Sequence, residues 1–158
     1  MAVPNPNNPQ DEAKLVATLQ KWADGKATLK EVRGYTDDEL YAIAKTAYFF
    51  FYQGRVNEAR TLFQGLYAVN PTDSYFAKAL GVVELAAGNA QGALAAYDVA
   101  IKLSPNDAQA HVGRAEVKLA LGQKAQAIED LRKATGLAPE EDPVSRKAEA
   151  MISALSRR

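Results

Sequence analysis

From residue 40 to residue 137, apolar side chains recur at intervals of three and four, the spacing of one face of an α-helix rather than the alternation of a strand. Leu94, Tyr97, Ala100 and Ile101 show it within one segment. Short polar breaks divide the pattern. Gly88-Asn89 closes the stretch 75–87, since glycine and asparagine tolerate the left-handed conformation that ends a helix. Ser104-Pro105-Asn106-Asp107 closes 93–103, because Pro105 restricts Ser104 and cannot donate to the helical ladder. Asp107 is then placed to cap the helix that follows. The same reasoning predicts helices over 40–52, 57–69, 108–121 and 125–137.

The breaks are periodic. Gly54, Gly88 and Gly122 are 34 residues apart, as are Pro71, Pro105 and Pro139. Ala59, Ala93 and Ala127 keep that register, and so do Phe63, Tyr97 and Leu131. The chain therefore divides into helical hairpins at 40–73, 74–107 and 108–141. Ala47, Gly81 and Ala115 share a column of the first helices, where a larger residue would overpack the hairpin. Phe63, Tyr97 and Leu131 fill the space between hairpins, so a stack buries what one hairpin cannot.

The ends differ from the middle. Residues 1–9 read as a flexible polar tail and 10–39 as a helical cap, with Leu15, Leu19 and Trp22 on one stripe of a helix over 11–23. Residues 28–32 form a short helical or turn-like segment. Thr36 is placed to cap a helix that opens on Asp37-Asp38-Glu39, whose charges suit a helix start. Residues 142–158 form a C-terminal capping helix, with Pro143 in its first turn, where a missing N–H costs nothing.

These columns resemble the tetratricopeptide-repeat family. The fold expected is all-α: a right-handed superhelix of three repeats with N- and C-terminal capping helices, its inner face lined by the first helix of each repeat. The inward positions are then the second, fifth, ninth and twelfth of each unit. They give Tyr41, Ala44, Tyr48 and Phe51, then Tyr75, Lys78, Val82 and Leu85, then Gln109, Val112, Glu116 and Leu119. Tyr52 and Ala86 lie beside the groove. Every tyrosine and phenylalanine except Tyr35 falls between 41 and 97, and the third unit has none. Phe49, Phe50 and Phe63 are expected in the core; Tyr41, Tyr48 and Tyr75 are expected to face a ligand. Five consecutive aromatics, 48–52, place rings on every side of one helix, so at least one must face a groove, another subunit or solvent. A tyrosine-rich groove suits an extended peptide, with rings receiving apolar side chains and polar groups meeting its backbone.

Composition removes most other chemistry. Nineteen basic residues balance nineteen acidic ones, without the excess a nucleic-acid binder needs. There are no cysteines and one histidine, so a thiolate nucleophile, a cysteine metal site and a histidine triad are all excluded. His111 is expected to pack within a hairpin as a satisfied structural residue. Glu140-Glu141-Asp142 lacks calcium-loop spacing and reads as a solvated turn. The isolated glycines make no phosphate-cradling loop. No catalytic residue, cofactor or metal is expected. The start lacks a signal-peptide pattern, and the longest aromatic cluster is too short to span a membrane. A cytoplasmic protein with no direct membrane insertion is expected.

A narrower resemblance runs through the join of cap and first repeat. Residues Gly25 to Ala44, then Tyr52-Gln53-Gly54-Arg55, Glu58-Ala59, Leu62-Phe63-Gln64-Gly65-Leu66 and Asn70-Pro71-Thr72-Asp73, resemble the class II chaperones of bacterial type III secretion. Leu80-Gly81, Gly88, Ala93 and Tyr97 resemble that family's second repeat. The chain departs from it at Val56, Ala90 and Lys124, where the interhelical turn commonly carries a bulky residue, and at Val82-Val83, where the family carries cysteine. The resemblance implies a virulence-associated chaperone that binds hydrophobic secreted translocator proteins through an extended segment in the concave face. It keeps them soluble before export and forms a homodimer through the N-terminal region. Tyr41, Tyr48, Tyr52 and Tyr75 match the groove positions, with Lys78, Val82 and Leu85 continuing it. Leu15, Leu19 and Trp22 would belong to the dimer surface. The alternative is a general tetratricopeptide adaptor or scaffold in a secretion or envelope assembly.

Overall fold

The computed structural model describes residues 9–157, without the side chains of residues 9, 11, 12, 15, 19 and 22 in the first helix. Among the described residues the regular structure is helical: α1 (Pro9–Ala23), α2 (Leu29–Arg33), α3 (Asp37–Tyr52), α4 (Val56–Val69), α5 (Ser74–Ala86), α6 (Ala90–Leu103), α7 (Ala108–Ala120), α8 (Lys124–Leu137) and α9 (Pro143–Ser156). Except for Pro9, the tail expected at 1–9 lies outside the described residues, as do the side chains of Leu15, Leu19 and Trp22.

The punctuation acts largely as its chemistry requires. Gly54, Gly88 and Gly122 take φ of 76°, 81° and 75°, the left-handed conformation glycine adopts without a side-chain clash. Asn89 does not share that role. Its φ is −95°, and its side chain accepts the Gly92 N–H, so it starts α6 instead of ending α5. Asp73, Asp107 and Asp142 cap α5, α7 and α9. Thr28 and Thr36 form reciprocal capping boxes with Glu31 and Glu39. Asp37, just inside α3, also pairs with Lys30 of α2.

Helices α3 and α4, α5 and α6, and α7 and α8 pack as hairpins, and α4 on α5, α6 on α7 and α8 on α9 join them in series. At the N-terminal end α1 packs against α2, and α2 against α4. Both alanine-and-glycine columns are sealed: Ala47, Gly81 and Ala115 are buried, as are Ala59, Ala93 and Ala127. Tyr97 of α6 shows why. A Cβ on Gly81 would lie 2.7 Å from its ring, and one on Gly113 would lie 2.3 Å from it. One ring therefore fills a slot between α5 and α7 that exists because both positions lack a side chain. Phe63 and Leu131 hold the equivalent places and are fully buried.

Two aromatic expectations are corrected. Phe49 is 57% exposed rather than in the core. The stripe that α3 buries is Leu40, Ala44 and Ala47, and Phe49 lies off it. Phe50 is half-buried under the Arg55 guanidinium, 4.2 Å above its ring. His111 packs inside, as expected, but only one nitrogen is satisfied. Its Nε2–H donates to the Pro105 carbonyl at 2.9 Å, while Nδ1 lacks a hydrogen bond and sits 3.7 Å from Asp130 Oδ1.

Gly113→Ala is expected to destabilise the protein by about 1–3 kcal/mol, because the buried Tyr97 ring would have to shift to admit the methyl group. Urea denaturation measures the loss, and adding Tyr97→Leu should recover part of it through non-additivity.

Candidate functional site

The first helices α3 and α5 bring four tyrosines together. Tyr41 meets Tyr75 edge to face at 5.4 Å between centroids. Tyr75 meets Tyr48 at 6.3 Å, and Tyr48 stacks on Tyr52 at 6.2 Å. The result is a row, Tyr41–Tyr75–Tyr48–Tyr52, that crosses from one repeat to the next. Tyr48 is anchored from below by Phe63, 4.9 Å away. Phe51 closes on Tyr52 at 5.7 Å. Such offset and edge contacts are the favoured geometries for aromatic pairs, and they hold the rings in place.

The hydroxyls are organised too. Tyr41 donates to Asp73 Oδ2 at 2.7 Å, and this bond, with burial and the same carboxylate's charge, pushes its phenol up to about 12. Burial, with the neighbouring Tyr75 and Tyr52, raises the Tyr48 phenol further. Burial also raises Tyr75. All three remain neutral hydrogen-bonding groups through physiological pH.

Tyr41, Tyr52 and Ala86 are exposed; Tyr48, Phe51, Tyr75, Lys78, Val82 and Leu85 are half-buried. Tyr52 is the most open, at 81%. Ala44 is corrected: it is 0% exposed and belongs to the floor, packed in the first hairpin's core. Its column continues as Lys78 and then the buried Val112, so at this position only a long side chain emerges. Lys78 is also not free. Its ammonium lies 2.6 Å from Asp107 Oδ2 and 3.2 Å from Gln109 Oε1. In the third repeat, Glu116 pairs with Lys147 of α9 at 2.6 Å.

Sequence reasoning missed two buried charge clusters, one between the first and second hairpins and one within the third. Glu84 accepts from Arg60 and Gln64 of α4 and from Asn89. Asp130 takes both Arg114 Nε at 2.8 Å and Arg114 Nη2 at 2.7 Å, with Lys118 Nζ at 2.7 Å. Their partners lie on different helices with no shared period, so no sequence signal announced them. Among the described residues, no group of three or more His, Cys, Asp or Glu is placed to hold a metal ion, and no helix is long and apolar enough to cross a membrane. A cleft of about 610 Å³ opens between the α1–α2 and α4–α5 turns, lined by Lys26, Leu29, Lys30, Ala68 and Pro71 among others. None of the groove residues lines it.

Two family models, each described as a tetratricopeptide repeat, match residues 45–108 and 84–154. This is a tetratricopeptide-repeat solenoid. A search of curated protein sequences finds no match. Among solved structures, the solenoid is similar to SycD of Yersinia enterocolitica, a type III secretion chaperone solved in complex with a peptide of the translocator YopD. The two are 25% identical, over 77% of this chain and 95% of that one, with a TM-score of 0.70. A T3SS complex from Aeromonas hydrophila matches at 22% identity, over 90% of this chain and 96% of that one, with a TM-score of 0.80. PcrH, a Pseudomonas aeruginosa protein solved with the chaperone-binding region of PopD, matches at 24% identity. That match covers 80% of this chain and 98% of that one, with a TM-score of 0.74. The tetratricopeptide-repeat solenoid thus shares its fold with translocator chaperones over nearly their whole length.

Asp73→Asn is expected to lower the Tyr41 phenol from about 12 toward the ordinary tyrosine value of about 10. Because the folded value is raised, this phenol's contribution to stability is present below the unfolded value and lost as pH rises through the folded one. Spectrophotometric titration of the wild type, Asp73→Asn and Tyr41→Phe assigns the step. An unmoved step in Asp73→Asn would mean that the bond does not set it.

Proposed function

We propose that this protein is a cytoplasmic chaperone for hydrophobic type III secretion translocators, holding an extended segment of the client along its first-helix groove until export. The carrying observation is the continuous tyrosine row, Tyr41–Tyr75–Tyr48–Tyr52, on the first helices of two adjacent repeats. Rings packed on one another offer apolar faces to client side chains. Tyr52, the most exposed member of that row, can offer its hydroxyl to the client backbone. The likeness to SycD with its YopD peptide and to PcrH with its PopD segment supports the same use of the groove. No turnover is needed: the site shields an apolar segment that would otherwise aggregate, and it gives the segment up to the export machinery.

Co-expression with a hydrophobic translocator from the same bacterium is expected to raise the soluble yield of that translocator; an unchanged yield would count against the reading. Tyr52→Glu is expected to weaken the complex by about 2 kcal/mol, the scale of an aromatic hot spot, as read by titration calorimetry. Circular dichroism should be unchanged, since Tyr52 is largely exposed. Tyr52 is a cleaner probe than Tyr48, whose ring also packs on the core residue Phe63.

The reading includes a homodimer through the N-terminal region. It is supported by the apolar surface near that end, where Val16, Tyr35, Ile43 and Phe49 are all exposed. Trp22→Glu is then expected to shift the protein from dimer to monomer in sedimentation equilibrium, and an unshifted mass would remove α1 from the dimer surface.

A further inference from the structure

Asp107 divides its two carboxylate oxygens between two tasks. Oδ1 accepts the Ala110 N–H at 3.2 Å and so caps α7. Oδ2 holds the Lys78 ammonium of the preceding first helix at 2.6 Å. Asp73 is built the same way one repeat earlier: Oδ1 accepts the Tyr75 N–H at 2.9 Å, and Oδ2 takes the Tyr41 hydroxyl at 2.7 Å. In both cases a helix-capping aspartate reaches back to a groove side chain of the repeat before it. For Asp73 the partner is a neutral phenol; for Asp107 it is the cation in the middle of the groove.

The other cations of α7 and α9 that meet an acid here are committed in the same manner. Arg114 holds Asp98 and Asp130, Lys118 holds Asp130, and Lys147 holds Glu116. An unpaired ammonium at the position of Lys78 would bind a carboxylate of an incoming peptide. With Asp107 in place, that carboxylate would displace an existing ion pair or approach a second negative charge, and either costs free energy.

We infer that the Lys78–Asp107 pair determines specificity by closing the groove to acidic segments, leaving it open to uncharged, apolar ones. This rests on the reading of the tyrosine row as the client site. The client stretch that crosses the second repeat is therefore free of aspartate and glutamate at the residue facing Lys78. The pair also makes two single substitutions push in opposite directions. Asp107→Asn keeps a good helix cap while freeing the ammonium. Lys78→Met keeps the cap untouched and frees the carboxylate.

The test is selection of a phage-displayed library of random linear peptides on the full-length protein in four forms: wild type, Asp107→Asn, Lys78→Met and Tyr52→Glu. Helicity and thermal midpoint are checked for each. The wild type is expected to select apolar peptides depleted in acidic residues. Asp107→Asn should raise the frequency of acidic residues about twofold to fivefold, the range of a partly exposed ion pair. Lys78→Met should raise lysine and arginine by a similar factor. A role confined to folding would move neither in a charge-specific way. Selection profiles unchanged by both charge variants, or a wild type that itself enriches acidic peptides, would overturn the inference while leaving the groove as the client site. Should Asp107→Asn lose helicity, the Lys78→Met arm alone decides. A wild type that selects nothing, or a Tyr52→Glu form that selects the same peptides as the wild type, would instead overturn the client-site reading on which the inference stands.

Discussion

How closely the helices of neighbouring hairpins can approach controls everything built on them. The approach is set where side chains are missing. The Tyr97 ring occupies the space above Gly81 and Gly113, and at each of those positions a single methyl group would collide with it. That slot fixes α6 against α5 on one side and α7 on the other. The fully buried alanines Ala59, Ala93 and Ala127 do the equivalent work within each hairpin. The tyrosine row depends on the equivalent spacing one repeat earlier, where the buried Phe63 takes the place of Tyr97, because Tyr48 and Tyr75 come from different repeats and meet only if those repeats sit at one separation. Interiors at this density transmit a displaced ring as a shifted helix, so a change in the scaffold is also a change in the groove.

The buried charges add direction to a stack whose repeats would otherwise be interchangeable. Glu84 and Lys118 occupy the same column one repeat apart, with opposite sign. A third repeat docked in the place of the second would leave Arg60 of the first repeat facing an ammonium in place of Glu84. Burial opposes ionisation of both Glu84 and Asp130. Arg60, Gln64 and Asn89 outweigh it for Glu84, Arg114 and Lys118 outweigh it for Asp130, and both carboxyls are held below their ordinary range. The stability these two groups contribute is accordingly complete above the ordinary carboxylate range. It is lost as the pH falls through their lowered folded values.

The periodic part of the molecule was legible in the sequence. Glycine turns at 34-residue intervals, small-residue columns, aspartate and threonine caps and the proline stops all follow from local chemistry repeated in register. The parts that were not legible depend on partners outside the period. Phe49 was expected inside because it is a phenylalanine in an apolar run. Its exposure is decided by which stripe of α3 meets α4. Ala44 was placed on the groove by counting positions, and its short side chain leaves it in the floor. Asn89 was grouped with Gly88 as a terminator, although the same side chain serves equally well to start a helix. Lys78 was placed on the groove without a partner being foreseen, because Asp107 lies 29 residues away, a separation that belongs neither to a helix turn nor to the repeat.

The uneven distribution of aromatics then acquires a physical sense. A ring that must wait for a client in water gains if its conformation is already fixed, because the rotor entropy is surrendered on folding instead of on binding. Tyr41, Tyr48 and Tyr75 are fixed in this way, each held by neighbouring rings, and Tyr41 also by the bond from its hydroxyl to Asp73. Fixing them requires two adjacent repeats that both supply rings, and only the first and second do so. The third repeat, with Gln109 and Glu116 at the corresponding positions, has nothing to continue the row. The apolar part of the groove therefore ends where the Lys78–Asp107 pair begins. A bound segment would cross from a ring-lined stretch into a polar one at that point, so its own sequence should be most constrained at the tyrosine end and least constrained beyond α7.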